Sequence, residues 1–137
     1  MDKSLNIFVI EDSEVLGMLL KAELEKLYKE EGFIISNFES GEACKDMLHL
    51  NPVLFIVDYH LDSKNENAMN GIEVMEMVRE HDSSTDFIMI TNDQQTELFL
   101  RAKKYGIHDY IVKSSHLAYK LSLSINLWLK LKNQAAF

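Results

Sequence analysis

Pro52-Val53-Leu54-Phe55-Ile56-Val57-Asp58 is an unbroken apolar run that stops at a carboxylate. A run so short, and so rich in β-branched and aromatic residues, predicts a strand buried on both faces, as strands of parallel sheets are. Asp58 then stands at the carboxyl end of that strand, the edge along which ligands bind in open α/β sheets. A carboxylate there can also be a turn former or a helix cap, so its meaning depends on what neighbouring strands deliver to the same edge.

Three other apolar runs end in reactive groups. Residues 5–10 lead to Glu11-Asp12, residues 86–90 deliver Thr91, and residues 108–112, entered through Gly106, deliver Lys113. Between them lie helical patterns. Ser13 is a plausible N-cap for a helix in which Val15, Leu16, Leu19, Leu20, Leu24 and Leu27 recur at helical spacing, up to a stop near Gly32. Residues 33–38 read as a short strand, and Ser40 can cap a helix through about residue 50. After a polar loop from His60 to Asn70, Gly71 opens a helix carrying Ile72, Val74, Met75 and Val78; a further helix spans about 94–105. In the final segment, about 115–133, Leu121, Leu123, Ile125, Leu127, Leu129 and Leu131 alternate with polar residues apart from Trp128, which taken alone is a strand period. Its length and its place after a strand make it a helix. At about 100° per residue, Leu121, Ile125 and Leu129 form a stripe able to cover a sheet, and Leu123, Leu127 and Leu131 a second stripe left for an interface or for partial burial under a neighbouring helix. Strict strand–helix alternation with short connections implies an α/β fold, a doubly wound parallel sheet of five strands with helices on both faces.

Composition bounds what such a fold can do. The 137 residues suit a single domain over 1–137, self-supporting without disulfides or structural metal. Cys44, the only cysteine, has no partner for a bridge or a shared zinc and reads as a small core residue. A net charge of −8 with dispersed lysines argues against a nucleic-acid surface. With no signal peptide and no run long enough to span a bilayer, the expected location is the cytoplasm.

Glu11, Asp12 and Asp58 at adjacent strand ends bring three carboxylates into a small volume, which uncompensated raises at least one pKa. A hard divalent cation with oxygen ligands and the Lys113 ammonium are the two remedies, and Mg²⁺ suits an open acidic cup. The histidines His49, His60, His81, His108 and His116 share no metal-ligand spacing and read as surface or cap residues.

Phe8-Val9-Ile10-Glu11-Asp12, Val57-Asp58, Asn70-Gly71, Ile90-Thr91 and Asp109-Tyr110-Ile111-Val112-Lys113, in this order at these strand ends, resemble the receiver domain of two-component response regulators over nearly the whole chain. The resemblance implies a flavodoxin-like (βα)5 fold with strand order 2-1-3-4-5. It implies Asp58 as phosphoacceptor, with Mg²⁺ held by Asp12 directly, by Glu11 through water, by Asp58, and by the main-chain carbonyl of His60. Thr91 matches the phosphate-sensing hydroxyl, Lys113 the phosphate-binding lysine and Tyr110 the aromatic switch. The His60 side chain and Asp93 match positions that influence attack of water on the aspartyl phosphate. The implied partners are a histidine kinase or phosphotransfer protein and a downstream protein target, and a homodimer through the last helix is a further option. Such a protein is a phosphoacceptor, not an enzyme turning over an external substrate.

The chain departs from the family pattern in three places. Ser114 stands where proline usually follows the lysine, so the loop need not keep its geometry. Asn92 replaces a small residue and is expected to narrow access to the phosphoryl group. The stretch from Asp58 to Gly71 is about five residues longer than usual, and its polar insert Asp62-Ser63-Lys64-Asn65-Glu66-Asn67-Ala68 reads as a tolerated surface loop, with contact to a partner as the alternative. Two rival functions are weaker. A phosphatase of the haloacid dehalogenase kind needs two aspartates flanking one residue, where this chain has Glu11-Asp12-Ser13. A phosphate-independent receiver-like scaffold would leave Asp58, Thr91 and Lys113 without purpose.

Overall fold

Strands β1 (Asn6–Ile10), β2 (Ile34–Phe38), β3 (Leu54–Asp58), β4 (Asp86–Thr91) and β5 (Ile107–Val112) alternate with helices α1 (Glu14–Leu27), α2 (Gly41–Lys45), α3 (Gly71–His81), α4 (Thr96–Lys103) and α5 (Leu117–Ala135). In the computed structural model, which describes residues 5–135, they form one sheet in the order β2-β1-β3-β4-β5, and every pairing is parallel. This is the doubly wound fold expected from the alternation.

Each central strand divides its side chains between two cores. Ile7, Val9, Leu54, Ile56, Ile88 and Ile90 face α1 and α5, where Leu20, Leu24, Leu121, Ile125 and Trp128 close over them. Phe8, Ile10, Phe55, Val57, Phe87 and Met89 face α2, α3 and α4. Burial of each such side chain contributes about 1.5–3 kcal/mol, which is why both faces of β3 are apolar to the strand's end. Phe8, Phe55 and Phe87 are direct cross-strand partners, with ring centroids 5.4 and 5.6 Å apart. This aromatic row fills space on the side where α2 is only five residues long.

Several local expectations change in context. The helix begun at Ser40 ends at Lys45, and a 3₁₀ turn, Leu48–Leu50, follows. Asn51 then adopts φ 52°, ψ 58°, a left-handed conformation that stops the helix ahead of Pro52. In α1 the buried positions are Gly17, Leu20 and Leu24, while Val15, Met18, Leu19 and Leu27 are exposed, so the covered stripe is narrower than the apolar periodicity suggested. In α5, Leu121, Ile125 and Trp128 are buried and Leu129 is partly so, whereas Leu123, Leu127 and Leu131 stay exposed, as the second stripe required.

Candidate functional site at the carboxyl edge

The carboxyl edge of the sheet collects the groups named from the sequence. Ladder pairing continues past β1, with the Glu11 amide donating to the Phe38 carbonyl at 2.9 Å, which holds Glu11 and Asp12 at the edge. β3 ends on Asp58, paired with Ile90 of β4, so Thr91 lies one residue beyond that register. The Lys113 amide donates to the Thr91 carbonyl at 2.8 Å and extends the β4–β5 ladder to the lysine. Gly71 explains itself here: a Cβ on it would lie 2.6 Å from the Asp58 carbonyl oxygen and 2.8 Å from the Tyr59 Cα. Only glycine lets α3 begin against the main chain beneath Asp58. Asn70 and Glu73 cap that helix reciprocally.

Lys113 Nζ donates to Glu11 Oε1 at 2.6 Å and to Asp58 Oδ2 at 2.8 Å, with its side chain largely buried. The lysine is thus firmly placed although Ser114 follows it. Asp58 Oδ1 accepts from the His60 amide at 3.3 Å. Oxygens of Glu11, Asp12 and Asp58, all buried, lie within 4.8 Å of one another. Unit charges about 4 Å apart interact by about 4 kcal/mol at an effective dielectric near 20, so one ammonium cannot offset three carboxylates. Burial first, and then the hydrogen bond and charge of Asp58, push the Glu11 carboxyl up to about 7 against the opposing pull of Lys113. For Lys113, burial lowers the pKa, but hydrogen bonds and charge from Asp58 and Glu11 outweigh it and the net shift is upward.

Among the described residues, Glu11 Oε2 is buried without a hydrogen-bond partner. An orphaned carboxylate oxygen beside two more carboxylates is a donor set for a hard cation, and Mg²⁺ fits it. Glu11, Asp12 and Asp58 would supply the side-chain oxygens.

Thr91 is fully buried, and its hydroxyl accepts from the Asp93 amide at 3.1 Å. The Tyr110 hydroxyl donates to the Asp93 carbonyl at 2.7 Å, and its ring meets Phe99 edge-on at 5.5 Å. Asp93 therefore touches both switch candidates through its main chain. Its carboxylate also faces His60 Nε2 at 3.6 Å, so the side chains two residues beyond Asp58 and two residues beyond Thr91 meet at this edge. Asn92 is exposed at the mouth. Two of the other histidines are engaged elsewhere: His108 Nε2 bonds the Ser124 carbonyl at 2.9 Å and His49 Nδ1 the Asp46 carbonyl at 3.2 Å. Burial pushes the Cys44 thiol up to about 12, as suits a core residue.

One contact was not foreseen. Ser63, in the polar insert, donates to Asp12 Oδ2 from its amide at 2.9 Å and from its hydroxyl. The insert thus reaches the acidic cluster. A serine in a polar loop carries no local signal for a contact 51 positions away.

A family model described as the response regulator receiver domain matches residues 7–121. The chemotaxis protein CheY of Halobacterium salinarum is 31% identical over 108 residues, spanning 78% of this chain and 82% of that protein. The response regulator ArlR of Staphylococcus epidermidis is 29% identical over 109 residues, 79% of this chain, and the chain spans only 45% of the length of that relative. Among solved structures, the signal receiver domain of a putative Luxo repressor protein from Vibrio parahaemolyticus matches with a TM-score of 0.78 at 25% identity, over 96% of this chain and 94% of its own.

Proposed function

The chain belongs to the response regulator receiver domain family, and on that premise we propose that Asp58 accepts a phosphoryl group from a phosphohistidine of a histidine kinase or phosphotransfer protein. The observation that carries this reading is the bridge of Lys113 Nζ between Glu11 and Asp58 in a buried cluster short of positive charge. An Asp58 oxygen attacks phosphorus, the O–P bond forms as the N–P bond breaks, and the leaving imidazole takes up a proton. Phosphoryl transfer leaves a protein mainly positioning and charge stabilisation to supply. Lys113 already donates to Asp58 and would carry its charge to the phosphoryl oxygens. Mg²⁺, held by Glu11, Asp12, Asp58 and the main-chain carbonyl of His60, supplies further neutralisation when bound. The exposed Asn92 narrows approach by small donors.

Thr91 would then turn its hydroxyl to the phosphoryl group and give up its bond from the Asp93 amide. Asp93 is also what Tyr110 holds, so the rearrangement at Thr91 passes to Tyr110 through a single residue. The readout is the α4–β5–α5 face, whose exposed Leu123, Leu127 and Leu131 suit a protein partner, a second copy of this chain included. The reading further takes residues 1–137 as a single receiver domain in the cytoplasm with no nucleic-acid surface, in keeping with the charge of −8 and with no described helix being long and apolar enough to cross a membrane. A phosphate-independent scaffold gains no support, because Asp58 and Lys113 remain buried and paired.

Intact-mass spectrometry after incubation with a phosphohistidine donor and Mg²⁺ tests the proposal. One phosphate is expected on wild type and none on Asp58→Asn or without Mg²⁺. An unmodified wild type, or equal labelling of Asp58→Asn, would sink it.

A further inference from the structure

The polar insert between β3 and α3 starts from Leu61, which is buried in the core beside α3, and is exposed from Asp62 to Asn67. From Ser63 and Lys64, and from Met69 just past the insert, polar contacts reach carboxylates on other elements. The Ser63 amide and hydroxyl both donate to Asp12 Oδ2, Lys64 Nζ pairs with Glu39 Oε1 at 3.0 Å, and the Met69 amide donates to Glu42 Oε2 at 2.9 Å. These contacts differ in weight. Lys64 and Glu39 are both about half exposed, so solvent screens their attraction and the pair contributes little. Asp12 is 7% exposed, and a buried carboxylate receiving two charge-assisted hydrogen bonds holds its donors strongly.

Asp12 is also one of the three carboxylates able to hold a divalent cation. A cation reaching it through Oδ2 must displace at least one of the two Ser63 donors. One reaching it through the other oxygen meets a carboxylate already polarised toward Ser63.

Building on the receiver reading above, we propose that residues 62–68 form a strap that competes with the divalent cation for Asp12, with Ser63 as its latch. The strap holds Asp12 Oδ2 through the two Ser63 donors and lifts when the cation binds. Metal affinity in this chain is thereby set by a loop outside the coordinating residues.

The test is titration of Mg²⁺ into the wild-type chain, Ser63→Ala and a variant lacking residues 63–67, followed by binding heat and by the amide resonance and hydrogen exchange of residue 63. Ser63→Ala is expected to bind at least threefold more tightly and the shortened chain at least tenfold. The wild-type Ser63 amide should lose exchange protection at a Mg²⁺ concentration equal to the wild-type Kd. If wild type binds Mg²⁺ and Ser63→Ala binds equally or more weakly, the latch is overturned while the metal site stands. Absence of binding in wild type and Ser63→Ala alike overturns both. Ser63→Ala keeps the test decisive should the shortened chain fail to fold.

Discussion

At the amino end of the sheet Arg79 lies over the Phe87 ring, 4.6 Å from its centroid, and its guanidinium donates to the carbonyls of Tyr105, Ser83 and Thr85. Nearby, Asp86 Oδ2 accepts from the Trp128 indole at 2.8 Å and pairs with Lys132 at 2.7 Å. At the carboxyl end Glu11, Asp12 and Asp58 share, among the described residues, the single ammonium of Lys113, and Glu11 Oε2 finds no hydrogen-bond partner there. The amino end carries its charges half-buried and paired, whereas the carboxyl end buries three carboxylates against one ammonium. The balanced end ties α3 and α5 to the strands and needs nothing more. The unbalanced end leaves room for positive charge, and under the proposed function a divalent cation would supply it. A sheet that concentrates its electrostatic cost at a single edge marks that edge as the site.

This contrast can be broken most forcefully at Arg79. Arg79→Ala should destabilise the chain by about 2–4 kcal/mol, because several carbonyls lose a charged donor together. Urea denaturation would read it, and the folded variant should still take up one phosphate. A large loss of labelling with native stability would erase the division between the two ends.

Glu11→Gln should act in the opposite sense. Above its unfolded pKa an ordinary glutamate is ionised, but here the folded state holds the proton up to about pH 7. The folded chain therefore binds more protons than the unfolded chain between about pH 4.5 and 7, and stability without divalent cations falls as pH rises through that window. Thermal melts of the metal-free chain should show this decline, and Glu11→Gln should flatten it and gain on the order of 1–2 kcal/mol at pH 8. A decline of the same size in the variant would remove Glu11 as its cause.

The smallest effect is expected at Trp128→Phe. It removes one hydrogen bond to Asp86 while Lys132 stays in place, so a loss of about 1 kcal/mol is expected in the same denaturation assay. Unchanged Mg²⁺ affinity would confirm that the amino end is electrically separate.

The strands and their terminal groups were legible because their signals are local. An apolar run buried on both faces announces itself, and the residue that ends it is named with it, as with Ile10 before Glu11-Asp12 or Val57 before Asp58. Even α5, whose leucines alternate as in a strand, was recovered from its place in the alternation. The bounds of α2 were less legible, since the left-handed turn at Asn51 and the 3₁₀ turn before it cut the helix short. The apolar surface of α1 misled in part, because Val15 and Leu19 share the helical period of Leu20 and Leu24 yet lie beyond the sheet's reach.

The sequence by itself determined the kind of fold, the five strands and the identity of Glu11, Asp12, Asp58, Thr91 and Lys113 as the groups at one edge, because periodicity and strand termini act over a few residues. Only the tertiary structure decided that Lys113 bridges Glu11 and Asp58, that Asp93 joins Thr91 to Tyr110, that Arg79 secures the far end, and that Ser63 bonds to Asp12. Those are pairings of polar groups brought together by packing, often across long stretches of chain. No local pattern selects one donor among many for a buried carboxylate; the geometry of the packed sheet does.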